Sequence, residues 1–385
     1  MEVLFMDFRI PAGKNSFNHF EIAGAFGDLG TLVPFLAAYF SILHLAPSGI
    51  LFVFGIANII VGILYKTPVP VQPMKAIGAA AVASPGAFGA GELLGASLVT
   101  GIFWFVAGVG GLAEWLKRIA EKPVVRGIIF GLGMTFVTTG IKMMQTTWWL
   151  GLAGIVVTFA LLQNKKIPAI FILLLLGFVF SFIWESGRAQ EFMAIRPEFN
   201  LPAFSVSEIT WQGILAGGFF LALPQIPLTL GNGIIALESE NNKLFPDRKT
   251  NVKKIALTTS IMNMMAAVLG GVPMCHGAGG MIGHVRFGAH TGGSTIILGA
   301  LMVVLALFFG NSVTVLFAML PLAILGVILL FTGIELCFGA RDIGAEAEDF
   351  YIFVVVAGLS LWNIGAAFFV GLLMAYMMKK EFIRL

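Results

Sequence analysis

Charge is scarce in this 385-residue chain. Asp, Glu, Lys and Arg together make up 11% of it, against about 25% in an ordinary soluble domain. So little charge excludes a water-soluble domain of appreciable size. Cysteine is scarcer still. Cys275 and Cys337 are the only two, and they lack the paired spacing of a zinc site or a disulfide framework. Both read as free thiols, and no metal or other cofactor is expected. The tools of a membrane enzyme are missing as well: there is no HExxH helix, no second mid-membrane Asp to pair with Asp28, and no nucleophile elbow. The Gly-rich runs lack the GK[ST] ending of a phosphate-binding loop, so a nucleotide reading fails. The net charge of +3 is small and comes from loop lysines and arginines, which points to membrane orientation rather than to a nucleic-acid partner. The N-terminal MEVLFMDFRIPAGKNSF has neither the basic-then-apolar order nor the small-residue cleavage site of a signal peptide. The first span is therefore expected to act as its own insertion signal.

What is abundant is apolar: 58% hydrophobic residues, with 36 Phe and 47 Gly, describe a chain dissolved in a lipid bilayer. A spanning helix needs about 20 residues, and the runs between charge clusters are long enough. Spans are expected near 18–43, 48–66, 74–86, 92–116, 124–145, 148–163, 167–186, 209–236, 252–270, 274–287, 292–309, 312–338, 350–363 and 365–378. That is an all-α polytopic membrane protein of about 14 segments. With both termini cytoplasmic, Lys66, Lys117 to Arg126, Lys165-Lys166, Lys243 to Lys254, Arg286, Arg341 and Lys379-Lys380 all fall inside, as the positive-inside rule requires. The longest outer loop, 187–208, balances Arg188 and Arg196 with Glu191 and Glu198. The compact loops and the lack of a targeting segment point to a prokaryotic plasma membrane.

Two stretches break the pattern: PVPVQPMKAIGAAAVA from Pro68 and GGVPMCHGAGGMIGHVRF from Gly270. Pro68, Pro70 and Pro73 forbid a continuous helix, so the chain there must be extended. Helix can begin only around Met74 or Lys75 and run to about Ser84, roughly 15 Å. That is half the hydrocarbon core, so one end lies near the midplane. Gly270, Gly271 and Pro273 repeat the design, with a second short helix expected from Cys275 to Arg286. Paired broken helices are the mark of an inverted-repeat transporter, here with halves at about 18–186 and 209–378. Seven spans per half would invert the second repeat and bring the two helix N-termini face to face. Each N-terminus offers free N–H groups and about half a positive charge, which suits an anion.

Lys75 stands at the wrong end of its helix dipole, deep in the membrane, at a cost of at least ~2.5–3.5 kcal/mol on insertion scales. It needs a partner: a structural ion pair with Asp28, an anionic substrate, or both in competition. His276 and Cys275 open the other half-helix, where a histidine either caps backbone groups or touches cargo. Gln225, Thr229 and Asn232 fall on one helical face, lining a cavity or joining helices by hydrogen bonds. The repeated Gly-Gly pairs are mostly close-packing devices.

GDLGT at 27–31, PVQPMK at 70–75, LPQIPLTLGN at 223–232 and PMCHGAGGMIGHVRFGAHTG at 273–292 resemble the molybdate transporter group related to the sulfate permeases. The resemblance spans both halves. It implies the seven-plus-seven inverted-repeat fold that sulfate permeases share with nucleobase symporters. It also implies a core domain (18–117 and 209–310) carrying substrate against a gate domain (118–208 and 311–378), with cytoplasmic ends at 1–17 and 379–385. Sulfate permeases usually end in a soluble regulatory domain, and this chain stops at Leu385, which fits the molybdate branch. A homodimer is compatible with this layout, and the sequence offers no handle on dimerisation through such a domain.

The expected activity is secondary transport of a tetrahedral oxyanion by alternating access, coupled to H+. Molybdate comes first and sulfate or a general oxyanion permease second. A channel, or a bicarbonate or nucleobase carrier on the same fold, is the remaining alternative. The expected binding set is Gln72, Met74, Lys75, Ala76, Cys275, His276, Gly277, Ala278 and Gly279, completed by Thr31, Gln225 and Thr229. Asp28 is the expected proton-coupling group, because a mid-membrane carboxylate can carry a proton.

Overall fold

The computed structural model describes residues 14–83, 86–119, 121–161, 169–202, 208–341, 343–344, 346–380 and 382. Parts of the expected cytoplasmic ends, Ser84-Pro85 and the Lys165-Lys166 loop lie outside these residues.

The first half begins with α1 (His19–Ala25), capped by Asn18 Oδ1, which accepts from the N–H groups of Phe20 and Glu21 at 3.1 Å. A 45° bend at 26–28 leads into α2 (Leu29–Ser41), so the span expected at 18–43 is a bent pair. Next comes α3 (Pro47–Tyr65), with proline in its first turn, where its missing N–H does no harm. It stops at Lys66 in the left-handed conformation, φ 57°. The chain then runs extended through β1 (Gln72–Pro73) into the half-helix α4 (Lys75–Ala83). The span expected at 92–116 is two helices, α5 (Ala90–Val109) and the short amphipathic α6 (Leu112–Ile119), separated where Gly111 takes φ 74°. Helices α7 (Lys122–Met144), α8 (Trp148–Leu161) and α9 (Ala169–Trp184) follow, and α10 (Arg188–Met193) sits in the long loop.

The second half repeats this order. A long helical segment holds α11 (Trp211–Ala216), α12 (Leu223–Leu228) and α13 (Leu237–Leu244), joined by π-helical stretches at Gly217–Ala222 and Thr229–Ala236. Pro224 and Pro227 each remove an ordinary helical hydrogen bond between those stretches. Helix α14 (Val252–Leu269), capped by Asn251, ends at Gly270 with φ 72°. Extended chain follows, through β2 (Met274–Cys275) into α15 (Ala278–Arg286). Helix α3 and helix α14 thus stop alike, on a left-handed residue just before an extended crossing.

Two expectations need correction here. The second half-helix starts at Ala278, because Gly277 is still extended (φ −158°, ψ 129°), so Cys275 and His276 precede the helix rather than open it. The break expected near 310 is also absent. Helix α16 runs unbroken over Gly293–Ala318, and the chain turns by 79° only before α17 (Leu322–Phe338). Gly310 and Asn311 are tolerated inside a helix, whereas Pro321 caps the next one and stops continuation. Helices α18 (Ala347–Ser360) and α19 (Ile364–Lys379) close the chain as a hairpin.

Among the described residues, six of these helical stretches are long and apolar enough to cross a membrane, or eight if each bent pair is one span. The protein is an all-α multi-pass membrane protein. Small residues set its packing. Helix α3 meets α16 at Gly55 and Gly299, where a Cβ on either would come within 2.7 Å of the other's carbonyl oxygen. Gly133 and Gly333 do the same for α7 and α17. Helix α14 packs on α5 as α16 packs on α3, so exchanging the halves turns one pairing into the other, as an inverted repeat requires.

The N-terminus of α16 has no cap of its own and receives one from α1. Glu21 is 1% exposed. Its Oε1 accepts from the N–H groups of His290 and Thr291 at 2.9 and 2.8 Å, and its Oε2 from Ser294 at 3.0 Å. Glu21→Ala strands these donors and is expected to cost about 3 kcal/mol or more, read as a lower thermal midpoint in detergent. Glu21→Gln, which keeps one acceptor, should lose less, and an unchanged midpoint in Glu21→Ala would contradict this anchoring role.

Candidate functional site

The extended crossings before the two half-helices meet. Strand β1 pairs antiparallel with β2, Gln72 opposite Cys275 and Pro73 opposite Met274, and Met74 N–H donates to Pro273 O at 2.9 Å. Unpaired backbone is expensive in hydrocarbon, and this bridge answers part of that cost. Asn263 of α14 answers more: its Oδ1 accepts from Met274 N–H at 3.0 Å and its Nδ2 donates to Met274 O at 2.6 Å. One amide thus serves as a third strand for β2. Both half-helix N-termini are thereby fixed at the same bridge.

His276 is wholly buried, and both its ring nitrogens are engaged. Pro70 O can only accept, so Nδ1–H is the donor there, at 2.9 Å. Nε2 is then the acceptor from the Thr258 hydroxyl, also at 2.9 Å, and Tyr65 OH lies 2.7 Å from that hydroxyl. The ring packs edge-on against Tyr65. Its side chain ties β2 to the first crossing and has no donor left for a ligand. Cys275 is buried beside it, with Sγ 4.0 Å from Pro73 O.

Asp28 sits at the bend between α1 and α2, 4% exposed. Gln72 Nε2 donates to both of its carboxylate oxygens, at 2.8 and 2.9 Å, and the Thr31 side chain lies alongside. The structural ion pair considered for Lys75 is not formed. Among the described residues no carboxylate lies within salt-bridge distance of Lys75, which is 5% exposed in the first turn of α4. Asp28 abuts α15 instead: a Cβ built on Gly280 would lie 2.7 Å from the Asp28 carboxylate carbon, and one on Gly277 would strike Gln72.

Gln225 is spent on the other half-helix. Its Oε1 accepts from Ala76 N–H at 2.8 Å, and its Nε2 donates to Thr229 Oγ1 at 2.9 Å. The Ala76 N–H is therefore occupied, and a ligand at α4 must use its neighbours or displace Gln225. Asn232 lies in the π-helical stretch with its amide near Gly277. On α15 the Gly279 face is exposed, with nothing within 4 Å of where a Cβ would stand. A side chain there would fill open space directly at a helix N-terminus. Asn263, Thr258, Glu21 and His284 were not singled out in the sequence. Asn263 and Glu21 were detectable as polar residues in apolar runs, but their partners lie 11 and about 270 positions away.

Two half-helices abutting at a two-stranded bridge inside a multi-pass helical protein define a transporter rather than an enzyme. Residues 20–136 and 217–336 match the family described as "Molybdate transporter of MFS superfamily", and the chain belongs to that family. It is 31% identical to Molybdate transporter 2 of Arabidopsis thaliana, over 90% of this chain and 84% of that protein. It is 27% identical to Molybdate transporter 1 of Chlamydomonas reinhardtii, over 91% and 90%. The fold is shared with the transmembrane domain of a cyanobacterial bicarbonate transporter, BicA (TM-score 0.63, 16% identity, 92% of this chain and 96% of that one). It is also shared with murine Solute Carrier 26 family member A9, an anion transporter in the inward-facing state (TM-score 0.70, 11% identity, 97% and 70%).

The bridge makes a testable demand. In a Cys337→Ser background, Cys275 should react slowly with a thiol reagent, and Asn263→Ala, which strands both backbone groups of Met274, should speed that reaction. The lost bonds amount to about 2–3 kcal/mol. Equal labelling rates would mean that the Asn263 amide does not hold β2 in place.

Proposed function

We propose that the chain carries a tetrahedral dianion, molybdate first and sulfate second, across a membrane by alternating access coupled to protons. The observation that carries this reading is the convergence of the α4 and α15 N-termini at the β1–β2 bridge, with Lys75 in one first turn and, among the described residues, no carboxylate within salt-bridge distance of it. Free N–H groups and a lysine of one sign favour an anion. The names of the relatives favour molybdate among anions. A site built from donors prefers a fully ionised tetrahedral ion, since a protonated oxygen would leave a buried donor unmatched.

In this reading Lys75, the remaining N–H groups of the α4 first turn and those of Gly277 to Gly279 bind the anion, with Thr31 at the edge. Gln225 and Thr229 hold α4, and Gln72 holds Asp28. Asp28 occupies the end of α15 that would otherwise attract the cargo. Protonation removes a negative competitor from that end, which couples anion loading to proton loading. The core (18–117 and 209–310) moves against the gate (118–208 and 311–378); because α16 runs unbroken past residue 310 to Ala318, the hinge falls at the 79° turn before Leu322, inside the expected gate, rather than at 310. Both termini lie on the cytoplasmic side. Exposed Trp148, Trp149, Trp184, Trp211 and Trp362 then gather at helix ends on the outer side, the placement of an interfacial aromatic belt.

Calorimetry on the purified protein tests the cargo. Molybdate should bind wild type, and Lys75→Ala should weaken binding about 30-fold or more, the equivalent of one charge-assisted contact of ~2 kcal/mol. Weak displacement by sulfate supports a molybdate carrier, and equal displacement supports a general oxyanion permease. Displacement by bicarbonate alone, or no anion binding, would reject the reading.

A further inference from the structure

His276 drew attention in the sequence, yet the histidine left with an unused basic nitrogen is His284. It lies in the last turn of α15, wholly buried. Its Nδ1 is 2.7 Å from Gly24 O. A backbone carbonyl only accepts, so Nδ1 carries the proton and the neutral ring presents a bare lone pair at Nε2. That Nε2 is buried without a hydrogen-bond partner. Buried polar atoms are seldom left so without a reason.

The neighbourhood supplies one. Gly280 and His284 are four positions apart on α15 and share a face, about 5–6 Å apart at Cβ. A Cβ on Gly280 would touch the Asp28 carboxylate, and the backbone of Gly27 presses on Gly283 and His284. The Asp28 carboxylate therefore lies beside Gly280, one helical turn from His284 along one packed seam. The other titratable groups on the elements packed against α15 are already occupied or lie elsewhere on their helix. Glu21 of α1 is bound by three N–H groups, and Glu238 of α13 pairs with Lys117. Glu240 and Lys243 follow Glu238 on α13, His19 is exposed at the start of α1, and Arg286 stands on α15 itself beyond His284.

We propose that His284 is a second proton-binding site, which takes a proton at Nε2 and delivers it to Asp28. This rests on the proton-coupled reading above and deepens it. A proton added to the Nε2 lone pair makes an imidazolium balanced by the Asp28 carboxylate. Nε2 and the carboxylate share no hydrogen bond, so the proton passes through a bridging water, which donates one proton to a carboxylate oxygen as it takes one from Nε2; the ring is again neutral, Asp28 is a neutral acid and the water is regenerated. His284 is thus a positioning and relay residue that does not touch the anion.

The test uses the full chain in liposomes, with molybdate uptake measured with and without an inward acid gradient. His284→Gln and the smaller His284→Asn should bind molybdate as wild type does by calorimetry yet lose the gradient-driven part of uptake. Adding Asp28→Asn should remove nothing further from that part. Wild type that fails to bind molybdate would remove the functional reading itself. Wild type that binds and transports but gains nothing from the gradient would overturn the proton coupling and the relay with it, whereas a His284 variant that keeps the full gain would overturn the relay alone. Nitrogen NMR of histidine-labelled wild type needs no variant. The ring bonded to the Gly24 carbonyl should show an unprotonated Nε2 that gains a proton over the pH range in which uptake rises. An Nε2 that stays bare throughout that range would also overturn it.

Discussion

The structure depends on one short contact, the antiparallel bridge of Gln72–Pro73 with Met274–Cys275. A helix that begins at the middle of a membrane leaves backbone groups with no water to satisfy them. Two such helices solve the problem jointly when their extended leads pair with each other. The prolines that forbid helix in those leads also remove N–H groups that would otherwise need partners. What the bridge leaves over is met by Asn263 on Met274 and by His276 on Pro70. Gln225 takes the Ala76 N–H in the first turn of α4, and the proposed anion site relies on the other first-turn N–H groups of α4 and α15, which the bridge does not consume.

Charge placement around the bridge follows a similar economy. A direct Asp28–Lys75 pair would neutralise both groups and close the site, because a buried pair separates only at a large desolvation cost. Gln72 prevents this by holding both carboxylate oxygens against α15, which leaves Lys75 on the α4 side. Gly277 and Gly280 permit the approach, since a Cβ at either position would collide with Gln72 or Asp28. The glycines that look like packing devices in the sequence are in part electrostatic ones: they let a carboxylate lie against a helix N-terminus.

Much of this was legible in the sequence because proline and glycine act locally. Pro68, Pro70 and Pro73 alone place the start of α4 at Met74 or Lys75, and it is found at Lys75. The second half-helix was placed too early because nothing near Cys275 forbids helix, and its extended state is set by pairing with a strand about 200 residues away. The partners of His276 and Asp28 were hidden for the same reason, since a residue's type does not reveal what it meets across the fold. The one-face reading of Gln225, Thr229 and Asn232 assumed a regular helix. Gln225 and Thr229 do bond each other, and Asn232, further along the π-helical stretch that begins at Thr229, lies with its amide near Gly277.

The same contacts constrain how the proposed transport cycle can work. Helices α4 and α15 cannot slide apart without breaking the bridge, the Asn263 clamp and the Tyr65–Thr258–His276 chain together. Their site must therefore move as one body with α3 and α14. The seam facing α7 and α17 is different in kind. It is lined by apolar groups such as Phe35 against Phe136, 5.6 Å between ring centres, around a small apolar cavity. A polar tie across it is the Thr332 hydroxyl on Gly30 O, at 3.0 Å, and that hydroxyl already has a partner within its own helix at Ile328 O. Breaking this tie leaves the hydroxyl satisfied, and apolar contacts re-form at a new register without a desolvation penalty. Rigidity at the bridge and slippage at the seam make motion of the whole site against α7 and α17 the cheaper route, rather than rearrangement within the site.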